Sequence, residues 1–193
     1  MLFRQDTTLS EQEIIEGCKQ GKSKHQTALY NTYSAKMFAV CLRYTGNYHT
    51  AEDVLQDGFI RLLSNIDKFR GDGSFEGWVR RIFINAAIES QRRSISLLTI
   101  NEPDGVELNI YDETTIDHIA ADDLLRFVQE LSPGYRTIFN LYAIEGYSHK
   151  EIAGMLQITE GTSKSQLARA RNLLQQKLAE HYPHTTQNYG QTT

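Results

Sequence analysis

Apolar residues recur at three- and four-residue spacing along most of this chain, the period of helices with one buried face. Ser10-Glu11-Gln12-Glu13 reads as a capping box that opens a first helix, ending near Gly21. A long helix follows, with Ala28, Leu29, Tyr33, Met37, Val40, Cys41 and Tyr44 on its inner face, and Gly46-Asn47 stops it. Thr50 is the expected cap of the next helix, whose first turn carries Glu52 and Asp53, where a helix dipole favours negative charge. Its apolar positions are Val54, Leu55, Phe59, Leu62, Leu63 and Ile66. Phe69 to Ser74, with two glycines, is a break. The helix after it, Phe75 to about Arg93, turns Phe75, Trp78, Val79, Ile82, Ala86 and Ile88 inward.

The period is lost over residues 94–118, where Asn101, Pro103, Asp104 and Gly105 mark turns. It resumes near Ala120 with Leu124, Leu125, Phe127, Val128 and Leu131. Ser132-Pro133 is a helix start with proline at the first helical position, and Gly146 ends that helix. Ser148 to Glu151 repeats the capping box. A short helix then runs to Gln157-Ile158-Thr159, and a longer one opens near Glu160. Short helix, tight turn and longer helix make a helix-turn-helix, with Ile152, Ala153, Leu156 and Ile158 facing its core. In the longer helix Leu167, Ala170 and Leu174 form a packing face. Thr162, Ser165, Gln166 and Arg169 are expected on the opposite face, flanked by Lys164 and Arg171. Hydrogen-bonding groups centred between cations are what a helix entering the major groove requires. On that geometry Arg169 suits a guanine edge and Gln166 an adenine edge.

Charge changes the picture more than composition does. The net charge of −4 argues against a nucleic-acid binder until it is mapped along the 193 residues. Residues 1–68 balance 8 bases with 8 acids, and residues 69–93 carry 5 bases against 3 acids. Residues 94–123 hold 8 acids and no base, and residues 124–193 carry 7 bases against 5 acids. One acidic segment therefore supplies the negative balance and splits the chain. Such a segment does not fold alone. The sequence thus predicts an all-α protein of two small helical domains, residues 8–94 and 120–180. An acidic linker, 95–119, joins them, and a disordered tail, 181–193, follows. No apolar run approaches the roughly 20 residues that span a bilayer, and no export signal follows the start, so a cytoplasmic protein without membrane insertion is expected. Cys18 and Cys41 have no metal-ligand spacing and read as structural thiols. The histidines, His25, His49, His118, His149, His181 and His184, are scattered with no ligand or triad partner, so no metal, cofactor or catalytic site is expected.

A helix-turn-helix alone fits several DNA-binding families; here both halves resemble one. Leu131-Ser132-Pro133, Glu145-Gly146-Tyr147-Ser148, Glu151-Ile152-Ala153, Gly161 to Ser165 and Arg169-Ala170-Arg171 are similar to the second DNA-binding domain of bacterial sigma factors. Ala51 to Phe59 resembles their polymerase-binding helix. Trp78-Val79-Arg80-Arg81-Ile82, Asn85 and Glu89 to Arg93 resemble their promoter-melting helix. The order of these parts resembles the extracytoplasmic-function (ECF) group of the sigma-70 family, over about residues 10–180. Two positions depart from the pattern: Gln157 stands where the family has glycine, and Ser163 where it has valine.

The resemblance implies a sigma factor that binds core RNA polymerase, recognises −35 and −10 elements and assists melting, with no catalysis of its own. It implies polymerase contacts at Asp53, Gln56, Asp57 and Arg61. It implies −10 contacts at Phe69, Arg70, Asp72, Ser74, Arg80, Arg81, Asn85, Arg92 and Arg93, and −35 contacts at Thr162, Lys164, Ser165, Gln166, Arg169 and Arg171. Core RNA polymerase and promoter DNA are the implied partners, and an anti-sigma factor is a further candidate. Affinity for duplex DNA rises with phosphate neutralisation, so the free chain is expected to bind DNA weakly and in a salt-sensitive way. A helix-turn-helix repressor or activator gives the first half no role, and a sigma mimic has no need of Arg81, Asn85 and Arg169.

Overall fold

The computed structural model describes residues 9–100 and 121–182, with side chains described for residues 9–92 and 123–182. Among them there are eight α-helices and no strand. These are α1 (Glu11–Lys19), α2 (Ser23–Thr45), α3 (Tyr48–Asn65), α4 (Phe75–Ile100), α5 (Ala121–Glu130), α6 (Pro133–Phe139), α7 (His149–Leu156) and α8 (Glu160–His181). The expected linker, 95–119, falls largely outside the described residues, and so does almost all of the expected tail. The chain divides into two compact units. The first gathers α1, α2 to Leu42, α3 and α4 to Ala87; the second takes Arg43–Gly46, α4 from Ile88, and α5 to α8.

In the first unit, α1 starts as its sequence dictates. The Ser10 hydroxyl accepts from the Glu13 N–H at 3.3 Å, and the Glu13 carboxylate accepts from the Ser10 N–H at 2.8 Å. The bonds this carboxylate accepts, from the Ser10 N–H and then from the Ser10 hydroxyl at 2.7 Å, hold the Glu13 carboxyl below its usual range. The Tyr33 hydroxyl donates to Glu11 at 2.8 Å and ties α2 to α1. Helix α2 buries Leu29, Tyr33, Met37, Val40 and Cys41 of the stripe its spacing predicts, and Ala28 is half-buried. Helix α3 starts earlier than expected. Asn47, not Thr50, is its cap, and its side chain accepts from the Thr50 N–H at 3.1 Å. Helix α4 buries Phe75, Val79, Phe83, Ile84, Ala86, Ala87 and Ile88. This face is wider than the expected one: Trp78 and Ile82 are half-buried, while Phe83 is fully buried. The helix also continues to Ile100, seven residues past the expected end at Arg93. Cys18 and Cys41 are both buried thiols outside any disulfide, and burial pushes Cys41 up to about 12.

In the second unit, Phe127, Val128, Leu131, Ile138, Phe139, Leu141, Ile152, Leu167, Ala170, Leu174 and Leu178 make the core. Buried Arg136 donates from Nε and Nη2 to the Leu131 carbonyl, at 3.3 and 2.7 Å. Helix α6 runs on as a π-helical segment, Asn140–Ile144, which Gly146 ends at a φ of 75°. Helix α7 opens on the expected capping box, with Ser148 accepting from Glu151 N–H and Glu151 accepting from Ser148 N–H. Thr159 caps α8 by accepting from the Thr162 N–H at 3.0 Å.

The turn between α7 and α8 keeps a glycine-like shape without a glycine. Gln157 adopts the left-handed conformation at φ 59° and ψ 43°. That conformation costs an ordinary residue about 1–2 kcal/mol. A glycine there gives back about 0.5–1 kcal/mol of unfolded-chain entropy. It also loses the exposed bond that the Gln157 side chain accepts from Arg92. Gln157→Gly is therefore expected to raise stability by about 0.5 kcal/mol net. Thermal melts of the full chain check this against Gln157→Ala, which keeps the strain and brings no gain.

Candidate polymerase and DNA interfaces

Helix α3 presents Asp53, Gln56, Ile60 and Ser64 as an exposed stripe at spacings of three, four and four. Asp57 and Arg61 border it, half-buried and paired with each other at 2.8 Å. The stripe exists because Ala51, Val54, Leu55, Gly58, Phe59 and Leu62 turn the opposite face into the core. All four residues expected at the polymerase surface lie on or beside this stripe. Ile60, 66% exposed, shares it and was not among them. The spacing leaves Ile60 off the apolar face and beside Gln56 and Asp57, but an isoleucine among polar residues carries no signal for a contact role.

The segment from Phe69 to Ser74 enters α4 through Gly71 at φ 84° and Gly73 at φ 93°. Both values lie in the region that glycine enters without steric penalty. Arg70 and Asp72 are exposed there. Phe69 is half-buried, its ring centroid 5.0 Å from Phe75 and 5.4 Å from Trp78. The aromatic ring expected to stack on a base therefore also packs at the edge of an aromatic cluster. Ser74 is exposed, but its hydroxyl oxygen accepts from the Gly77 N–H at 3.1 Å and caps α4. Along α4, Arg81, Asn85 and Arg92 are exposed and Arg80 is half-buried. The side chain of Arg93 lies outside the described residues.

In the helix-turn-helix, Lys164 is exposed, and Thr162, Ser165, Arg169 and Arg171 are half-buried along α8. The Ser165 hydroxyl donates to the Thr162 carbonyl at 3.1 Å. The Arg171 guanidinium sits 5.7 Å from the centroid of the Tyr142 ring. Gln166 does not join this face. It is 2% exposed, in the stripe with Ser163, Leu167, Ala170, Leu174 and Leu178. Three residues after Ser163 and four before Ala170, it falls on the packing side of a 3.6-residue helix, so the expected adenine contact is withdrawn. Ala168, half-exposed between Ser165 and Arg169, takes its place on the surface. Its methyl group suits a thymine methyl rather than a hydrogen-bonding edge.

Sequence reasoning also missed how the Ser163 departure is accommodated. Ser163 is wholly buried, and its Oγ lies 2.9 Å from Nδ1 of His149, the first residue of α7. The imidazole stacks on Tyr142 with centroids 4.6 Å apart and planes 23° apart. A small polar residue at a core position is a weak signal, because its partner lies fourteen residues earlier.

Among the described residues no group of histidine, cysteine, aspartate and glutamate is arranged to hold a metal ion, and no helix is long and apolar enough to cross a membrane.

Comparison with known proteins places both halves. The family model for sigma-70 region 2 matches residues 29–94, and that for sigma-70 region 4 matches residues 121–174. The chain is 31% identical over 185 residues to the ECF RNA polymerase sigma factor SigW of Bacillus subtilis, covering 88% of this chain and 99% of that protein. It is 30% identical over 165 residues to the ECF RNA polymerase sigma factor SigE of Mycolicibacterium smegmatis, covering 83% of this chain and 64% of that protein. A solved structure of the sigma factor RpoE from Bartonella quintana, in complex with the anti-sigma factor NepR, is similar at a TM-score of 0.49. Its identity is 21%, over 79% of this chain and 95% of that one.

Proposed function

The chain belongs to the ECF RNA polymerase sigma factors, and from that membership we propose that it binds core RNA polymerase and directs initiation at promoters by recognising −35 and −10 elements and assisting melting. The observation that carries this reading is the order of the matches. A region 2 segment, 29–94, precedes a region 4 segment, 121–174, in one chain. A regulator with only the helix-turn-helix has no use for the first segment.

In this reading residues 8–94 are the polymerase-binding and −10 domain, and residues 120–180 are the −35 domain. The acidic tether begins after α4 ends at Ile100 and runs to residue 119, and the tail follows the end of α8 at His181. The α3 stripe of Asp53, Gln56 and Ile60, with the Asp57–Arg61 pair beside it, docks on the polymerase. The glycine-shaped turn with Arg70 and Asp72 takes −10 bases. Phe69, half-buried against Phe75 and Trp78, borders that turn. Exposed Arg81, Asn85 and Arg92 meet the strand and the upstream backbone, and Arg80 and Arg93 are assigned beside them. Thr162, Lys164, Ser165, Arg169 and Arg171 face the −35 duplex, with Ala168 among them. Phosphate contacts position such a helix and base contacts give it specificity. The chain supplies binding and orientation, and bond making stays with the polymerase in the cytoplasm.

Purified chain is added to core polymerase on a library of promoter DNA, and initiation sites are mapped. New initiation at sites sharing spaced −35 and −10 sequences is the expected outcome. Repression without new start sites favours a helix-turn-helix regulator and overturns the proposal. Absence of core binding overturns it as well.

A further inference from the structure

The DNA-reading end of α8 is held by polar contacts where the rest of the helix is held by apolar ones. From Leu167 onward the buried residues of α8 are Leu167, Ala170, Leu174 and Leu178; before it they are Ser163 and Gln166. No apolar side chain of its first two turns is buried. Yet these turns carry Thr162, Lys164 and Ser165. A helix held only by apolar packing can slide or rotate a little at small cost, whereas a hydrogen bond fixes both distance and direction. The Ser163 Oγ to His149 Nδ1 bond, at 2.9 Å, ties the first residue of α7 to this end of α8. The imidazole is itself positioned, stacked on Tyr142 at 4.6 Å.

We propose that His149 and Ser163 form a polar latch that sets the rotation of α8 at its DNA-reading end, which makes His149 a positioning residue for −35 recognition. The proposal rests on the function given above. Ser163 then has its own explanation. A valine at this position holds the first turn by packing. A serine there needs a partner, because a buried hydroxyl left unpaired is unfavourable. Histidine supplies that partner and brings a titratable group with it.

The charged groups around the imidazole set the direction of the pH effect. Burial holds His149 below its ordinary value of 6.5, and Lys164 acts in the same direction. Glu160 opposes them, and Arg171 adds to the lowering. All three lie on α8, and outside it the imidazole stacks on Tyr142 and is followed in the chain by Lys150. A depressed histidine leaves the latch at full strength above pH 6.5. Below pH 6.5 the folded unit resists protonation of this half-buried ring, so the arrangement around the latch loses stability as pH falls through the lower, folded value.

The test uses the full chain assembled with core polymerase. Promoter affinity is measured on DNA with and without a −35 element, from pH 5.5 to 8, alongside affinity for core. His149→Ala is expected to lower affinity for the −35 promoter roughly tenfold, with core affinity unchanged. The pair His149→Phe with Ser163→Val replaces the bond by packing. It is expected to restore affinity to within about threefold and to remove the loss below pH 6.5. Ser163→Val alone keeping wild-type affinity and the wild-type pH profile overturns the latch. Equal losses for His149→Ala on both promoters overturn it too. Should the wild-type chain fail to initiate at all, the proposed function falls instead. The latch is then judged by the NMR titration of His149 in the free chain, where Ser163→Val must shift the imidazole and no shift overturns it.

Discussion

Phe83→Ala is expected to lower the stability of the first unit by about 3–5 kcal/mol, the usual loss for a fully buried phenylalanine. The ring is 0% exposed and meets Phe59 edge-on at 5.1 Å. It fits because α3 carries a glycine opposite it. A Cβ added at Gly58 would lie 2.4 Å from Cδ1 and from Cε1 of the Phe83 ring. Gly58→Ala therefore sets two effects against each other. Alanine is the better helix former by about 1 kcal/mol. Overpacking a filled core costs about 1–3 kcal/mol, and here the clash is with a buried ring rather than a flexible tip. Gly58→Ala alone is thus expected to destabilise. In the Phe83→Ala background the same substitution enters a cavity, and its sign is expected to reverse. Denaturant melts of the four proteins measure the cycle. A helical domain of about 80 residues has roughly 4–12 kcal/mol in total, so the single loss takes a large share of it. Additive effects at the two positions would mean that α3 and α4 do not interlock through this pair.

Arg169→Ala is expected to reduce −35-dependent initiation about 5- to 150-fold, equivalent to about 1–3 kcal/mol, and to relax base preference at one position of that element. Lys164→Ala is the contrast. An exposed lysine beside the reading face meets phosphate in this reading, so its loss weakens binding on all sequences alike and lowers the slope of log affinity against log salt by about one. Binding measured at several salt concentrations on a set of single-base −35 variants separates the two. Arg169→Ala lowering affinity evenly across the variants would move Arg169 from base reading to backbone positioning. Gln166→Ala adds a third pattern. Its side chain is buried, so the expected result is lost stability with base preference kept.

What could be read from the sequence followed the strength of local signals. Both capping boxes form as Ser10 and Ser148 predict, because serine followed three residues later by glutamate satisfies two N–H groups within one turn. The α2 stripe was legible for the same reason, since its spacing needs no knowledge of a partner. The cap of α3 lies three residues before the expected one because Asn47 and Thr50 are both good caps, and Asn47 accepts from both the N–H and the hydroxyl of Thr50. Phe83 was missed since α4 buries more than one stripe, and only packing against α3 decides which residues count. Gln166 was placed on the wrong face because a polar residue beside an arginine-rich stripe invites that reading. The 100° step per residue puts it with Ser163 and Ala170. Ser163 and Gln157 were recognised as departures from a pattern, but their remedies were not legible. One is a histidine on another helix, and the other is a tolerated left-handed backbone.

The two cysteines of the chain are both buried and in no disulfide, and both lie in the first unit. A thiol reagent added to the native protein therefore reaches the Cys41 sulfur only when that unit opens. With Cys41 fully enclosed, its modification rate is a built-in clock for opening around α2. The second unit contains no cysteine and stays silent in the same experiment. Unlabelled, unmutated protein thus reports the local unfolding of one half separately from the other, with and without polymerase present.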